Sequence, residues 1–375
     1  MEFKLNSTNL LKCLNHIYGI IEVRHTLPIL SNIIIKSSND FVNLSSTNLD
    51  IYCSESINAD INIGGETSVS AATLYEIVKR LPGGSDVYIS HNEDDSLLMI
   101  NCGRSKFKLS TIKTDDFPII NDSDLNINFV LTAQELSRMI DKTKFAISNE
   151  EARYYLNGIF FHKAEKDNIS LLRAVATDGH RLAQYDIPLP QGADDIKGLI
   201  IPKKTIFELR KSLDDAEGDI NISLNENKIK VAFGNFKIIS KVIDGTFPDY
   251  TKVVPKNNDK NFSTNTEDLK SAIDRVSAVA INEEMKSKAI KLVLKQNKLL
   301  LSVESQTKGF ADEELDVNYN QDNVEIGFNS KYLIDICNEV DGENINVSIL
   351  DSISPAIIVD KSDENSFFVL MPMRI

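Results

Sequence analysis

The sequence predicts an α+β protein of three tandem, similar domains, each with two helices packed on antiparallel sheets. Two repeated motifs, and the strand-like runs between them, carry this prediction. Phe3, Leu10, Leu14 and Ile17 recur as Phe129, Leu136 and Ile140, with Thr143 at the last place, and again as Phe262, Leu269, Ile273 and Val276; the copies are offset by 126 and 133 residues. A second set, Val69, Leu74, Ile77 and Leu81, recurs as Ile201, Ile206, Leu209 and Leu213 and as Phe328, Leu333, Ile336 and Val340, offset by 132 and 127. Two unrelated motifs that keep one order and nearly one period do not readily arise by chance. A period this long makes each repeat a domain rather than a solenoid unit. The 375 residues then divide into domains over 1–125, 126–253 and 254–375, each long enough to bury its own core.

Apolar residues at i, i+4 and i+7 mark one face of an amphipathic helix. They predict first helices over 8–17, 133–144 and 266–276, with Thr8, Thr132 and Thr266 available as caps, and second helices over 72–81, 203–213 and 330–340. Alternating or β-branched runs predict strands over 87–90, 106–111, 220–224, 228–233, 291–303 and 347–350. Polar segments after Phe117-Pro118 and Phe247-Pro248 read as the linkers.

A hydrophobic content of 42% with 26% charged residues is that of an ordinary globular protein. No run of 18 apolar residues could span a bilayer, and the N-terminus lacks the basic and apolar blocks of a secretory signal, so a cytoplasmic protein without membrane partners is expected. Cys13, Cys53, Cys102 and Cys337 are scattered, and neither they nor His16, His25, His91 and His162 show metal-ligand spacing. Reduced structural thiols, no metal and no cofactor are the expectation. A net charge of −14 speaks against a nucleic-acid binder as a whole. The six helical spans nevertheless carry 13 Lys/Arg against 9 Asp/Glu, whereas the remainder carries 28 against 46. Lys-rich helix faces by themselves signal solubility; at equivalent places of all six helices they suggest a recurrent basic surface.

The densest polar cluster is Ala176-Thr177-Asp178-Gly179-His180-Arg181-Leu182, preceded by Arg153-Tyr154-Tyr155-Leu156-Asn157-Gly158. As a hydrolase site it would use Asp178 as orienter, His180 as general base and Arg181 as anion clamp. Against this, no nucleophile elbow and no Gly-rich phosphate loop occurs, and a tight turn explains Asp178 and Gly179 more simply. The chain ends on Phe367-Phe368-Val369-Leu370-Met371-Pro372-Met373-Arg374-Ile375, apolar almost to the last residue. Such an end is either a final core strand or part of an adaptable groove for apolar peptide side chains.

Thr-Leu-Pro-Ile-Leu over 26–30, Arg-Tyr-Tyr-Leu-Asn-Gly over 153–158, Ala-Thr-Asp-Gly-His-Arg-Leu-Ala over 176–183, Phe-Pro-Asp-Tyr over 247–250 and the terminal Met-Pro-Met-Arg-Ile closely resemble the bacterial sliding clamp family, the beta subunit of DNA polymerase III. The resemblance runs the length of the chain. It implies the DNA clamp fold, a ring formed by a head-to-tail homodimer, helices around a central hole, and double-stranded DNA held without reading its sequence. The function implied is processivity for the replicative polymerase, with no catalysis and no cofactor. Implied partners are DNA, a second copy of the chain, the polymerase catalytic subunit, the clamp loader, and other polymerases and repair proteins that carry a short clamp-binding peptide.

By the same resemblance the peptide groove comprises Leu156, Thr177, Gly179, His180, Arg181, Leu182, Pro248, Lys252, Val253, Ile353, Val369, Leu370, Met371, Pro372, Met373 and Arg374. Lys252 stands where an Arg is common in the family, so it keeps the charge without the planar fork. DNA-facing positions are Arg24, Glu150, Tyr154, Tyr155, Lys203 and Lys204. Glu150, Ala72 and Thr73 depart from polar or basic residues of the family, which moves the expected footprint toward the second domain. The dimer contact implied is Arg104, Lys106, Phe107 and Leu109 on one copy against Ala278, Val279, Asp312 and Glu313 on the other, near a local insertion over 276–288.

Overall fold

The computed structural model describes residues 1–22, 27–92, 96–280, 289–305 and 308–374. Among these residues six α-helices form: α1 Ser7–Tyr18, α2 Ala71–Val78, α3 Ala133–Lys144, α4 Lys203–Leu213, α5 Thr266–Ser277 and α6 Ser330–Asn338. The first motif is the buried stripe of α1, α3 and α5. Leu10, Leu14, Ile17, Leu136, Ile140, Leu269, Ile273 and Val276 are none of them more than 3% exposed. Thr143, the polar residue at the odd place, is also buried, and its hydroxyl donates to the Met139 carbonyl at 2.6 Å, one turn back.

α2 stops three residues short of its expected end. Leu81 precedes Pro82, whose ring disfavours helical backbone at the residue before it, and the last N–H groups close as tight turns instead. The caps also differ from expectation. Asn6 and Asn265, not Thr8 and Thr266, accept the first free N–H groups of α1 and α5, while Thr132 and Glu135 form a reciprocal capping box on α3. Each Asn stands one residue upstream of its helix, where a short side chain reaches the free N–H groups of the first turn without strain.

The chain packs as two compact units, 1–137 with 190–243, and 138–189 with the segment from Asp244 onward. In the first unit thirteen strands run in the order Ile127–Thr132, Asp219–Leu224, Lys228–Phe233, Phe236–Lys241, Ile51–Asn58, Phe41–Thr47, Asn32–Ser38, Gly65–Ser70, Ser105–Ile112, Leu97–Cys102, Asp86–Asn92, Glu2–Asn6 and Asp60–Ile63. In the second, seven strands run Gly158–Lys166, Ile169–Thr177, Arg181–Pro188, Ser366–Leu370, Ala356–Asp360, Asn344–Ile349 and Lys260–Asn265. A separate sheet there holds Gly309–Asp316, Lys298–Ser305, Ala289–Lys295 and Val324–Asn329.

The units cut the central repeat in half because the repeats are joined edge to edge. The last strand of the second repeat pairs antiparallel with Ile51–Asn58 of the first, placing Phe236 opposite Glu55. The last strand of the third repeat pairs in the same way with Arg181–Pro188 of the second, placing Ser366 opposite Tyr185. Each compact unit is therefore built around one junction between repeats.

Candidate functional site

The second junction brings the two sequence clusters together. Arg181 lies opposite Leu370 and Leu182 opposite Val369, and the Met371 N–H donates to the His180 carbonyl at 2.9 Å. Met373 continues the contact by donating to the Gly327 carbonyl at 2.7 Å. The terminal residues are thus at once a core strand, up to Leu370, and a partly exposed rim beyond it. A cavity of about 720 Å³ opens there, lined by Ile326, Ser352, Ile353, Pro372, Met373 and Arg374 among others. Leu156, Leu182, Val369 and Leu370 are at most 4% exposed and belong to the core rather than to the lining of this cavity. Ile353 is 80% exposed, Val253 47% and Met371 37%, and His180, Pro248, Lys252 and Arg374 are exposed too. A cavity lined by Ile326, Ile353, Pro372 and Met373, with exposed Val253 and Met371 elsewhere on the surface, suits short apolar peptides.

The polar cluster is a turn. Asp178 accepts the N–H groups of His180 and Arg181, each at 3.0 Å, and the Thr177 hydroxyl accepts from Gly179 N–H at 3.1 Å. Gly179 has φ of 88°, and the Arg153 guanidinium crosses 2.4 Å from where a Cβ would sit. The hydrolase arrangement fails on the same geometry. The Asp178 carboxylate is occupied by backbone N–H groups and by Arg181 Nε at 3.1 Å, so it does not orient His180. Arg181 is buried and fully engaged: Nη1 donates to Asp335 at 2.6 Å and Nη2 to the Phe145 carbonyl at 2.6 Å. Its guanidinium also lies 4.3 Å from the Tyr332 ring centroid. It holds the turn in place and is not a free anion clamp.

The segment Glu151–Leu156 is a 3-10 turn. Tyr154 is 52% exposed and packs edge-on against Tyr155, their centroids 5.8 Å apart. Glu150 is held by Arg153 through two bonds of 2.7 and 2.6 Å, and this pairing draws its carboxyl below the ordinary range. Its charge is therefore locally offset. Arg24 lies outside the described residues.

Most helix cations have partners within the chain. In the first unit the Lys204 ammonium donates to the Ile20 carbonyl at 2.7 Å, and Lys211 to that of Asn15 at 2.8 Å. Lys203 lies over the Phe207 ring. In the second unit Arg138 reaches Asp341 and Asp363, both at 2.6 Å, and Lys142 is buried against Asp341 at 3.0 Å. The basic helix faces are thus partly structural, which sequence composition could not reveal.

Among the described residues, two strands present free edges of opposite sign. Over 105–110, Ser105–Ile112 pairs there only with Leu97–Cys102, and it carries Lys106 and Lys108 beside Arg104. Gly309–Asp316 pairs there only with Lys298–Ser305 and carries Asp312, Glu313, Glu314 and Asp316. Both strands show the same alternation of exposed and half-buried residues, with Phe107 and Leu109 half-buried on one and Phe310 60% exposed on the other. Ala278 and Val279 lie at the end of α5, while 281–288 of the expected insertion lie outside the described residues.

Sequence reasoning missed Phe145, Tyr332 and Asp335, which complete the cage around Arg181. It also missed the network in which Arg173 pairs with Asp186 through two bonds of 2.7 Å and donates to the Tyr250 hydroxyl at 3.3 Å. Only Tyr250, in the Phe-Pro-Asp-Tyr run, gave any sequence signal. Among the described residues no group of three or more His, Cys, Asp or Glu is placed to hold a metal ion. All four cysteines are buried and unbridged, and no described helix is long and apolar enough to cross a membrane.

Three repeats joined strand to strand, with charged helix residues bonded across the two junctions within the chain, define the class of DNA clamps. Family models of the DNA polymerase III beta subunit match this chain over residues 1–121 (N-terminal domain), 130–249 (central domain) and 251–374 (C-terminal domain). The beta sliding clamp of Caulobacter vibrioides is 40% identical over 375 residues, covering all of both chains. A crystal structure of the C. crescentus beta sliding clamp superposes with a TM-score of 0.96 at 40% identity, over 100% of this chain and 99% of that one. A sliding clamp from Bartonella birtlesii, solved with griselimycin bound, gives 0.95 at 39% identity over the whole of both chains. The chain belongs to the DNA polymerase III beta subunit family, the bacterial sliding clamps.

Proposed function

We propose that two copies of this chain close head to tail into a ring around double-stranded DNA and tether the replicative polymerase to it, as a processivity clamp without catalysis of its own. The repeat supplies the closure. Two of its three junctions are made within the chain, by the last strand of one repeat on the fourth strand of the repeat before. Among the described residues, the first repeat's last strand, Ser105–Ile112, and the third repeat's fourth strand, Gly309–Asp316, are the two left without that pairing. A second copy completes both. Continuing the register of Phe236 opposite Glu55 sets Ser105 opposite Glu313, Lys106 opposite Asp312 and Phe107 opposite Ala311 of the second copy. Basic and acidic edges then meet in a closed heterologous contact.

In this reading, DNA is bound by Arg24, Tyr154, Tyr155, Lys203 and Lys204 through phosphate contacts that carry no base information, with Glu150 quenched by Arg153. The groove takes the short peptides of the polymerase, the clamp loader and other replication and repair proteins. Leu156, Leu182, Val369 and Leu370 belong to the core, and the exposed contacts of the groove are His180, Pro248, Lys252, Val253, Ile353, Met371 and Arg374. Thr177, Gly179 and Arg181 hold the turn that shapes the wall beside Pro372 and Met373. The observation that carries the reading is the pair of complementary free strand edges. Its test is retention on nicked circular DNA followed by linearisation: the protein should stay on the circle and run off the cut form, and equal loss from both would remove the ring.

A further inference from the structure

The repeat also places a charged clip at each junction, and the third clip is incomplete. On the first helices, His16, Lys142 and Arg275 occupy one position, related by the same 126 and 133 residues as the motif. On the fourth strands Ile51–Asn58, Arg181–Pro188 and Gly309–Asp316, the fifth residues are Glu55, Tyr185 and Glu313. At the first junction His16 is 4% exposed, with Nδ1 2.7 Å from Glu55 and Nε2 3.0 Å from Asp215, just past the end of α4. Lys12 lies 3.2 Å from the same Asp215. At the second, Lys142 and Arg138 hold Asp341, just past the end of α6, and Arg138 Nε donates to the Tyr185 hydroxyl at 3.0 Å. Each clip thus has a cation from a first helix, a polar residue of its own fourth strand, and an acid from the following repeat's second helix.

The third repeat has two of the three parts. Arg275 Nε donates to Glu313 at 3.0 Å, and this pairing draws the Glu313 carboxyl below its ordinary range. The acid would have to come from the end of α2 in a second copy. The positions aligned with Asp214/Asp341 and with Asp215 are Pro82 and Gly83, and the one aligned with Glu339 is Arg80, another cation. Lys79, aligned with Lys211, keeps its ammonium, so it is the acid alone that is missing.

We infer that the junction between chains is the weak seam of the assembly because its helix-end acid is absent, and that Arg275 is a clip cation awaiting one. This rests on the ring reading above. The test installs the acid. Gly83 has no left-handed backbone, and the nearest atom to its would-be Cβ is Thr8 Oγ1 at 3.8 Å, so Gly83→Asp fits without strain. Dimer dissociation followed by sedimentation on dilution should tighten about tenfold at low salt, the effect of one charge-assisted contact. Arg275→Gln in the Gly83→Asp background should erase the gain. Asp215→Asn, which cuts a clip within the chain, should raise hydrogen exchange in α1 and leave dimer dissociation unchanged. A dimer that Gly83→Asp does not tighten, or a gain that survives Arg275→Gln, overturns the clip while leaving the ring standing. Wild-type chain that stays monomeric at every concentration overturns the ring and the seam with it.

Discussion

Gly179 shows how one residue serves a site it does not touch chemically. Its φ of 88° and the Arg153 guanidinium across its open side leave no room for a Cβ. Gly179→Ala should therefore cost about 1–2 kcal/mol, the usual strain of left-handed backbone for an L residue, and should also displace Arg153 from Glu150. A urea midpoint unchanged within error would show that the turn relaxes freely. His16 makes a different point at the same scale. Burial alone would lower its pKa, but the Glu55 and Asp215 bonds outweigh it and the net shift is upward. Both ring nitrogens face carboxylates, so the imidazolium is the form that fits. Asp215 moves the other way: burial raises it, and the Lys12 and His16 bonds more than reverse this.

At the scale of elements, strand edges decide more than helices do. The edge Ser105–Ile112 would be a liability on a lone chain, and its Lys residues blunt it against indiscriminate pairing while suiting an acidic partner edge. Lys106→Glu should weaken dimerisation at least about tenfold, consistent with a like-charge pair placed opposite Asp312. Combining it with Asp312→Lys should restore most of the loss. Sedimentation at two salt concentrations reads both; a double variant as weak as the single one would show that these residues do not face each other.

On the scale of the whole molecule, junction chemistry makes stability depend on pH. Burial pushes the Glu339 carboxyl up to about 7, with Lys142 only partly opposing. A group whose pKa is raised on folding favours the folded state below its unfolded value and loses that contribution as pH rises through the folded one. Both His16 and Glu339 are of this kind. Stability from His16 is therefore complete below about pH 6.5, and that from Glu339 below about pH 4.5, and both fade with rising pH. Melting temperature should fall as pH rises from about 4.5 through about 7, with the His16 part of the fall beginning above about pH 6.5. Glu339→Gln should recover roughly 2–4 °C at the upper end for each ~1 kcal/mol relieved, and His16→Gln should flatten the fall around neutrality. A wild-type melting temperature that is level or rising across this window would contradict both assignments.

The repeat, the six helices and their buried stripes were legible in the sequence because periodicity of apolar residues is a local property that folding must respect. The clusters over 176–182 and at the C-terminus were legible as unusual, and their family resemblance suggested that they meet. What the sequence could not show is where charge goes. Arg138 and Lys142 read as cations of wet helix faces and Arg181 as an anion clamp or groove residue, yet they lie against acids up to 225 residues away along the chain. Long side chains find partners only once distant strands have paired, so their roles depend on three-dimensional proximity and leave no periodic trace. By itself the sequence determined three repeats and the two helices of each, while the run over 291–303, expected as one strand, folds as two, Ala289–Lys295 and Lys298–Ser305, that turn back on each other. The tertiary structure decided that the repeats are joined edge to edge, that the basic helices are half committed to those joins, and that one acidic and one basic strand each keep one free edge among the described residues.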